Sequence, residues 1–393
     1  MKKLGLLPKL ILGIILGIVI GKLKVLFVVE LLATFNGLFG NFLGFVIPLI
    51  IIGFVAPGIG DLGTGAGKLL GIAVLIAYGS TIVSGSFAYI VDTTLFPSML
   101  KGSTIDLGLS NPEHALVPAL MHIDMPPIMG VMSALLIAFV IGLGITAAKG
   151  HAIKDVMNEF QGIVEGIIKS IIIPLLPIHI CGIFANMTYA GQVETIISVF
   201  AKVFAIIIAM HLIIIVVQYT FAGLILNGKN PFVLIKNMVP AYLTAVGTQS
   251  SAATIPVTLA QTKQNGVEDG IAEFTIPLFA TIHLSGSTIT LTSCALAIMM
   301  LTGMPITFSM IFGFILMLGV TMVAAPGVPG GAVMAALGLL ESMLGFDQNL
   351  LGLMIALYLA QDSFGTACNI TGDGALAMVV NKIAGFKLEK IEK

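Results

Sequence analysis

Long apolar runs alternate with short polar segments along this chain, and most of the runs have the length of membrane-spanning helices. An α-helix needs about 20 apolar residues to cross the hydrocarbon core of a bilayer. The sequence therefore predicts eight spans, at about Leu10–Ile20, Phe35–Val55, Leu69–Ile90, Ile128–Ala147, Ile163–Phe184, Val199–Leu226, Ile271–Met300 and Leu350–Val380. The first run follows a basic segment, as in a signal peptide, but no small-residue cleavage site follows, so we interpret it as a retained span.

Two segments break the apolar pattern in corresponding ways. Tyr242–Pro256 is too polar for a helix that faces lipid and too apolar for a solvated loop, and Ala324–Ala332 contains two prolines and three glycines inside an apolar stretch. Interrupted segments of this kind, each followed by a span with polar interruptions, are typical of paired re-entrant hairpins. Two ordinary proline-kinked helices are the alternative that the pattern leaves open.

The eighth predicted span carries polar residues on one helical face. Asp362, Thr366, Asn369 and Asp373 fall at i, i+4, i+7 and i+11. Ionisable groups at membrane depth are costly unless they face protein, water or an ion, so this face is a candidate functional site. The alternative is a purely structural role, in which the two aspartates are buried partners of Lys382 or of nearby hydroxyls.

The seventh predicted span has a polar centre, from Thr281 to Thr288. His283 within it is compatible with a satisfied core histidine, a neighbour of a cation site, or a proton carrier. Residue type alone favours the first of these interpretations, a satisfied core histidine.

Composition supports a polytopic membrane protein. Of the 393 residues, 58% are hydrophobic and 9% charged, with a mean hydropathy of +1.10, whereas soluble proteins have about a quarter charged residues. The net charge of −1 excludes a nucleic-acid-binding protein. The three cysteines have no metal-ligand spacing and are predicted to be free core residues.

All 18 basic residues are lysine, so no bidentate guanidinium clamp is possible. The lysines fall mostly on one side of the predicted spans, which places both termini in the cytoplasm of a multi-pass cell-membrane protein. The longest predicted polar connection runs from Asp92 to Pro127.

Three motifs resemble the dicarboxylate/amino acid:cation symporters, the glutamate transporter family. Ser250–Thr258 is similar to the serine-rich tip of that family's first hairpin, Gly327–Gly330 to its second, and Asn369–Asp373 to its eighth helix. The resemblance implies an all-α homotrimer with eight transmembrane helices and two re-entrant hairpins, working as an elevator. It further implies scaffold and trimerisation spans within residues 1–226, the third and sixth bordering or joining the transport domain, and a transport core within 227–393.

The resemblance also implies the ligands of each site. The amino acid is expected at Ser250, Ser251, Val328, Pro329, Gly330, Asp362, Gly365, Thr366 and Asn369, with Asp362 holding the ammonium and Asn369 the α-carboxylate. Sodium is expected at Asp373, Asn369, His283, Ser285, Tyr78 and Thr81. Carboxylates suit an ammonium, and oxygen ligands suit a hard cation.

Departures from the family pattern change the predicted substrate. Acid-selective members place an arginine where this chain has Gly365 or Gln249. A dicarboxylate buried without a cationic partner would lose several kcal/mol. We therefore predict a small neutral amino acid, similar to serine, threonine or alanine.

A second departure concerns the ions. The family's Asn-Met-Asp-Gly-Thr pattern reads His283-Leu284-Ser285-Gly286-Ser287 here, so one sodium site loses its carboxylate. Sodium coupling through Asp373 is the leading expectation. The alternative is a proton-coupled or mixed-cation carrier of an acidic amino acid or dicarboxylate, in which His283 carries the proton.

Two other classes of protein fit the pattern less well. An intramembrane aspartyl peptidase would need adjacent carboxylates, but Asp362 and Asp373 lie about 16 Å apart along the helix. A serine peptidase would need a nucleophile elbow, and no Gly-x-Ser-x-Gly stands in the sequence. A passive channel would not need an ammonium-binding aspartate beside a cation-binding one. We therefore predict a transporter and not an enzyme.

Overall fold

The computed structural model describes residues 6–62, 67–99, 117–147, 151–191, 193–226, 228–322, 325 and 330–391, and all regular secondary structure among them is helical. The helices are α1 (Leu6–Lys22), α2 (Leu26–Leu62), α3 (Gly67–Met99), α4 (Val131–Ala147), α5 (Ala152–Ile167), α6 (Ile173–Tyr189), α7 (Val193–Ile225), α8 (Pro231–Thr248), α9 (Ser251–Gln264), α10 (Asp269–Ile282), α11 (Ser285–Leu301), α12 (Phe308–Met322), α13 (Gly331–Leu344) and α14 (Gln348–Ile391). A short π-helical segment, Ile168–Ile172, joins α5 to α6.

Within the described residues, six helical stretches are long and apolar enough to cross a membrane. They are Leu26–Pro57, Leu69–Met99, Ala152–Tyr189, Phe200–Ile225, Asp269–Leu301 and Gln348–Gly385. Four shorter apolar helices accompany them. The all-helical, polytopic architecture predicted from the sequence is confirmed, whereas the number of eight spans stays a prediction.

The sequence pattern ends the third predicted span several residues before the helix itself ends. The pattern stopped it at Ile90 and placed Asp92 in a polar connection, but α3 continues to Met99. Asp92 is completely buried, as are Ala88 and Phe96, four residues to either side. Residues spaced by four share one helix face, so the apolar neighbours of Asp92 give a better guide to its position than its charge does.

Three glycines of α1 form its contact with α6. A Cβ atom added at Gly13, Gly17 or Gly21 would lie 2.4–2.5 Å from a backbone carbonyl oxygen of α6. Small residues at every fourth position let two helix backbones approach closely inside a membrane, where lipid provides little other driving force for association. The opposite face of α1 carries exposed apolar side chains such as Ile15 and Val19, as expected for contact with lipid.

Helices α8 and α9 form the first predicted hairpin. The chain reverses at Gln249, whose φ of 54° lies in the left-handed region, and at Ser250, whose side chain accepts a hydrogen bond from the Ala253 amide as the N-cap of α9. Asn230 caps the start of α8 in the same way, by accepting from the Phe232 amide. Both helices pack against α14.

Helices α10 and α11 form the predicted seventh span, and the helix breaks at His283 and Leu284, inside the predicted polar centre. Sixteen of the 17 residues of α11 are buried, the exception being Met300. Helix α11 packs mainly against α14 and α3. The break therefore lies deep in the protein, where its free backbone groups need partners.

Helices α12 and α13 pack against each other as the second predicted hairpin. Of its tip, Gly330 is described and has a left-handed φ of 75° at the start of α13. The predicted substrate residues Val328 and Pro329 lie outside the described residues.

Helix α14 is the centre of the molecule. It is 44 residues long and contacts α3, α6, α7, α8, α9, α10, α11 and α13. Every residue from Leu351 to Val380 is buried except Ala360 and Phe364, which are partly buried. Polar side chains on α14 therefore have to find partners on the surrounding helices.

Candidate functional site

The polar face predicted for the last span lies on α14. Asp362, Thr366, Asn369 and Asp373 are at most 6% exposed, so the whole face is closed from solvent. All four side chains lie on one uninterrupted helix, so their order along the helix axis is fixed. Asp362, Asn369 and Asp373 each bond to a different neighbouring structure, and Thr366 contacts Asp362, so the face has three parts.

The first part is Asp362 with the tip of the second hairpin. The Gly330 amide donates a hydrogen bond of 2.7 Å to Oδ2 of Asp362, and the Thr366 hydroxyl lies 3.5 Å from Oδ1 as a weak donor. Three predicted substrate residues are thus brought together. Gly330 also fits closely here, since an added Cβ would be 2.8 Å from Leu359.

The second part is Asn369, which caps α11 from another helix. Its Oδ1 accepts from the amides of Gly286 at 2.7 Å and Ser287 at 3.2 Å, and its Nδ2 donates to the Ser287 hydroxyl at 2.9 Å. The first amides of a helix have no partner inside the helix, so an external acceptor stabilises the break between α10 and α11. The Tyr358 hydroxyl, also on α14, donates to the same Ser287 oxygen at 2.8 Å.

Gly365 lies between these two parts, against α11. Its carbonyl oxygen would be 2.5 Å from a Cβ at Gly286, so the two helix backbones are in close contact there. A Cβ at Gly365 itself would make ordinary contacts, at 3.6 Å from the Thr290 hydroxyl and 3.7 Å from the Ser287 amide nitrogen. A Cβ atom therefore fits at this position, next to the start of α11.

The third part is the pair formed by Asp373 and His283. Nδ1 of His283 lies 2.8 Å from Oδ1 of Asp373, and both side chains are fully buried. Nε2 of His283 lies 3.0 Å from the Ser80 hydroxyl, which accepts from Nε2 of Gln218 at 3.1 Å. The predicted ligand Ser285 joins this network through a longer contact of 3.4 Å from Gln218.

Two oxygens of this network have no hydrogen-bond partner. They are Oδ2 of Asp373 and Oε1 of Gln218. Gln218 Oε1 would lie 2.6 Å from a Cβ at Gly372, and His283 Cε1 would lie 2.8 Å from it, which places both groups beside the residue that precedes Asp373. Buried oxygens without a hydrogen-bond donor are suited to a small hard cation.

Other predicted site residues form hydrogen bonds outside these three groups. The Tyr78 hydroxyl donates to the Leu316 carbonyl of α12 at 3.2 Å, and the Thr81 hydroxyl donates to the Ala77 carbonyl of its own helix at 3.0 Å. These bonds do not join Tyr78 or Thr81 to Asp373. Their assignment as sodium ligands stays a prediction.

The serines of the first hairpin lie where α8 turns into α9. Ser250 caps α9, and its carbonyl accepts from the Thr254 hydroxyl at 2.8 Å. Ser251 is buried at the first position of α9. The assignment of both serines to the substrate also stays a prediction.

Sequence reasoning missed Ser80, Gln218, Tyr358 and His211. His211 and Gln218 are buried polar residues inside the predicted sixth span, and polar residues at membrane depth are a signal that could have found them. Nε2 of His211 lies 3.0 Å from the Gly286 carbonyl, so it also supports the start of α11. Ser80 and Tyr358 carried no such local signal.

Comparison with known proteins gives consistent results over most of the chain. The model of the sodium:dicarboxylate symporter family matches residues 6–383. The serine/threonine transporter SstT of Acinetobacter baumannii strain ATCC 17978 is 27% identical over 386 residues, covering 94% of this chain and 95% of the relative. Its counterpart in strain SDF is 28% identical with the same coverage, and that of Streptococcus suis strain 05ZYH33 is 26% identical over 341 residues, covering 85% of this chain and 94% of the relative.

Proposed function

Because this chain belongs to the sodium:dicarboxylate symporter family, we propose that it is a secondary active symporter for a small neutral amino acid, similar to serine, threonine or alanine, driven by sodium. The observation that carries the proposal is α14, whose single buried face presents Asp362, Asn369 and Asp373 to three different partners. The relatives named as serine/threonine transporters support the same substrate class.

Asp362 is the proposed ligand of the substrate ammonium. Its Oδ2 already accepts a charge-assisted hydrogen bond from the Gly330 amide. An ammonium donates up to three such bonds and competes for the same oxygen. Entry of the substrate therefore requires the tip of the second hairpin to move away from Asp362, so that the hairpin acts as a gate.

Asn369 is the proposed partner of the α-carboxylate. Its Oδ1 is committed to α11, and one hydrogen of Nδ2 goes to Ser287. A primary amide has a second hydrogen on the same nitrogen, which remains able to donate to a carboxylate. Asn369 would thus hold the broken helix in place and bind substrate at the same time.

Sodium is the proposed co-transported ion, with Asp373 as its charged ligand. Oδ2 of Asp373 and Oε1 of Gln218 are two buried oxygens that lack a donor in the structure. A sodium ion would give both oxygens a partner. It would also bring Gln218, which the sequence prediction omitted, into the site.

The neutral substrate follows from the side chains that the chain lacks. An acidic side chain would need a cation in the site, and all basic residues here are lysines. Lys263 at the end of α9 forms ion pairs with Asp269 and Glu273. A second carboxylate of the substrate would be left without a cationic partner.

Proton coupling is the second candidate, and the His283–Asp373 contact favours it. If His283 were protonated, its imidazolium would satisfy Asp373 without a sodium ion. The chain would then be a proton-coupled or mixed-cation carrier. The acidic amino acid or dicarboxylate substrate of this alternative has no cationic partner in the described site.

We further propose the assembly that the family resemblance implies. It consists of a homotrimer in the cell membrane with both termini in the cytoplasm, eight spans and two re-entrant hairpins. An elevator movement would carry residues 227–393 past a scaffold within residues 1–226. The packing of α3 and α7 on α11 and α14 supports their joining the moving part.

Uptake into proteoliposomes tests the function. We expect labelled serine, threonine or alanine to accumulate under an inward sodium gradient and not under a potassium gradient. Unlabelled aspartate should compete poorly. Strong aspartate accumulation would contradict the neutral substrate, and downhill flux without counterflow exchange would indicate a channel.

A further inference from the structure

A third intramembrane carboxylate, Asp92 on α3, lies outside the site described above. Its side chain is fully buried, and both carboxylate oxygens lack a hydrogen-bond partner. It belongs to a buried stripe of α3 that also contains Ala77, Ala88 and Phe96. This stripe faces the protein, so Asp92 is held at the interface of α3 with its neighbours.

The groups around Asp92 supply oxygens but few donors. The Ser293 hydroxyl of α11 lies beside the carboxylate, although not in a geometry that forms a hydrogen bond, and its oxygen is itself unpartnered. Cys294 lies near Asp92 and accepts from Nε2 of Gln361 at 3.8 Å, while Oε1 of Gln361 has no partner. Both oxygens of Asp92, the Ser293 oxygen and Oε1 of Gln361 are therefore buried without a partner in this cluster of Asp92, Ser293, Cys294 and Gln361.

An ionised carboxylate cannot remain in such surroundings at low cost. A buried charge without a counter-ion costs several kcal/mol, and none of the ion pairs among the described residues includes Asp92. A sodium ion is the other way to compensate such a charge, and a change in sodium dependence alone in Asp92→Asn would reveal it. A proton needs only one acceptor beside the carboxyl group, and Ser293 provides it.

We propose that Asp92 is a proton-binding site of the transporter, separate from the Asp362 and Asp373 positions. In the packed arrangement its carboxyl group is neutral, and a small side-chain rotation lets its O–H donate to the Ser293 oxygen. Loss of that proton leaves an unpaired charge between α3 and α11, which favours separation of the two helices. Since α11 is also held by Asn369, the proton on Asp92 stabilises the substrate-binding arrangement.

Several other titratable groups on the helices packed against α3 are hydrogen-bonded or ion-paired elsewhere. Helix α12 contains no titratable side chain, and the titratable side chain of α11 is Cys294, which lies near Asp92. On α14, Tyr358 is bonded to Ser287 and Asp362 to Gly330. On α7 and α10, five titratable side chains bond to residues other than Asp92: His211, Tyr219, Asp269, Glu273 and His283.

Infrared spectroscopy of the purified protein tests the proton directly, whatever is transported. We expect a carbonyl band of a neutral carboxylic acid that is absent from Asp92→Asn and unchanged in Asp124→Asn, which removes an exposed acid from the segment before α4. Ser293→Ala keeps the carboxyl group and should shift the band without removing it. A spectrum in which Asp92→Asn removes no band would overturn the proposal.

Uptake as a function of pH tests the consequence for transport and rests on the proposed function. Wild-type uptake should fall by up to about tenfold per pH unit once Asp92 loses its proton. Asp92→Asn, which mimics the neutral acid, should remain active where the wild type has declined, while Asp124→Asn should follow the wild type. Identical alkaline limbs in Asp92→Asn and wild type, or a change in sodium dependence alone, would contradict the proposal. Absence of any uptake by the wild type would reject the proposed function and leave the infrared test standing.

Discussion

Nδ1 of His283 and Oδ1 of Asp373 lie 2.8 Å apart, and neither side chain is exposed to solvent. The pair links the break between α10 and α11 to the central helix α14. Removal of one partner would leave the other buried group without its hydrogen bond, which typically costs about 1–3 kcal/mol. The same carboxylate is the proposed sodium ligand, so the histidine and the ion compete for it.

His283→Asn tests this competition. Asparagine stands at this position in the family pattern, and its amide can still donate to Asp373 without ever carrying a charge. We expect sodium-driven uptake to persist at a lower half-saturating sodium concentration, and any response to a proton gradient to disappear. Uptake measured separately under sodium and proton gradients gives both quantities.

The matched control is His122→Asn. His122 lies in the exposed segment before α4, where it contacts Asp124. It should leave both responses unchanged. Loss of sodium-driven uptake in His283→Asn, with the protein still folded, would show that the histidine is needed for sodium coupling itself.

Asp362→Asn tests the ammonium site. The asparagine oxygen can still accept from the Gly330 amide, so the hairpin contact survives while the charge is lost. We expect substrate affinity to fall by at least about 100-fold, or about 3 kcal/mol, as measured by calorimetric titration with serine. Asp347→Asn, at the exposed start of α14, should retain wild-type affinity. An unchanged affinity in Asp362→Asn would remove this residue from the substrate site.

An alanine at Gly330 would have two effects, a steric clash in the second hairpin and strain in the backbone, and a second glycine separates them. Gly330 and Gly345 have nearly the same left-handed φ, 75° and 74°, so alanine should cost about 1–2 kcal/mol of backbone energy at either position. Only Gly330→Ala also places a Cβ 2.8 Å from Leu359, whereas at Gly345 the nearest atom is 3.8 Å away. We expect both variants to lower the Tm and only Gly330→Ala to weaken serine binding. Equal binding losses would mean that strain alone explains the effect.

Gly365→Arg tests whether the absence of arginine is the reason that the site prefers a neutral substrate to an acidic one. The position accepts a Cβ without a close contact, so the first atom of the new side chain causes no clash beside the start of α11. We expect the arginine to raise aspartate uptake relative to serine uptake, since it supplies the bidentate partner that the chain lacks. Gly365→Ala should keep the wild-type preference. An arginine variant that folds and still excludes aspartate would show that another feature sets the specificity.

Local sequence patterns predicted the parts of the site that lie within one element. The polar face of α14, the turn at Ser250 and the break at His283 were all visible because polar residues interrupt apolar sequence. Such interruptions need no knowledge of distant contacts, since only buried or cavity-lining backbone tolerates them in a membrane.

Pairings between distant helices were not predictable in this way. Ser80 meets His283 across 203 positions, and Gln218 meets Ser80 across 138. Asn369 was expected to bind substrate or sodium, and no local pattern indicates that its oxygen caps α11. Asp92 was misplaced because its charge and the polar residues after it resemble the end of a span, whereas tertiary packing buries that turn.

The contact between α1 and α6 also bears on how the protein is assembled in the membrane. Residues 23–172, a stretch of 150 residues, separate the two helices in the chain. At about 5–20 residues per second their synthesis takes about 8–30 s. During that interval Gly13, Gly17 and Gly21 lack the α6 backbone against which they pack. Helix α1 is therefore synthesised early but packs against α6 late. A bulky residue at Gly17 would impair assembly of the protein before it could impair transport.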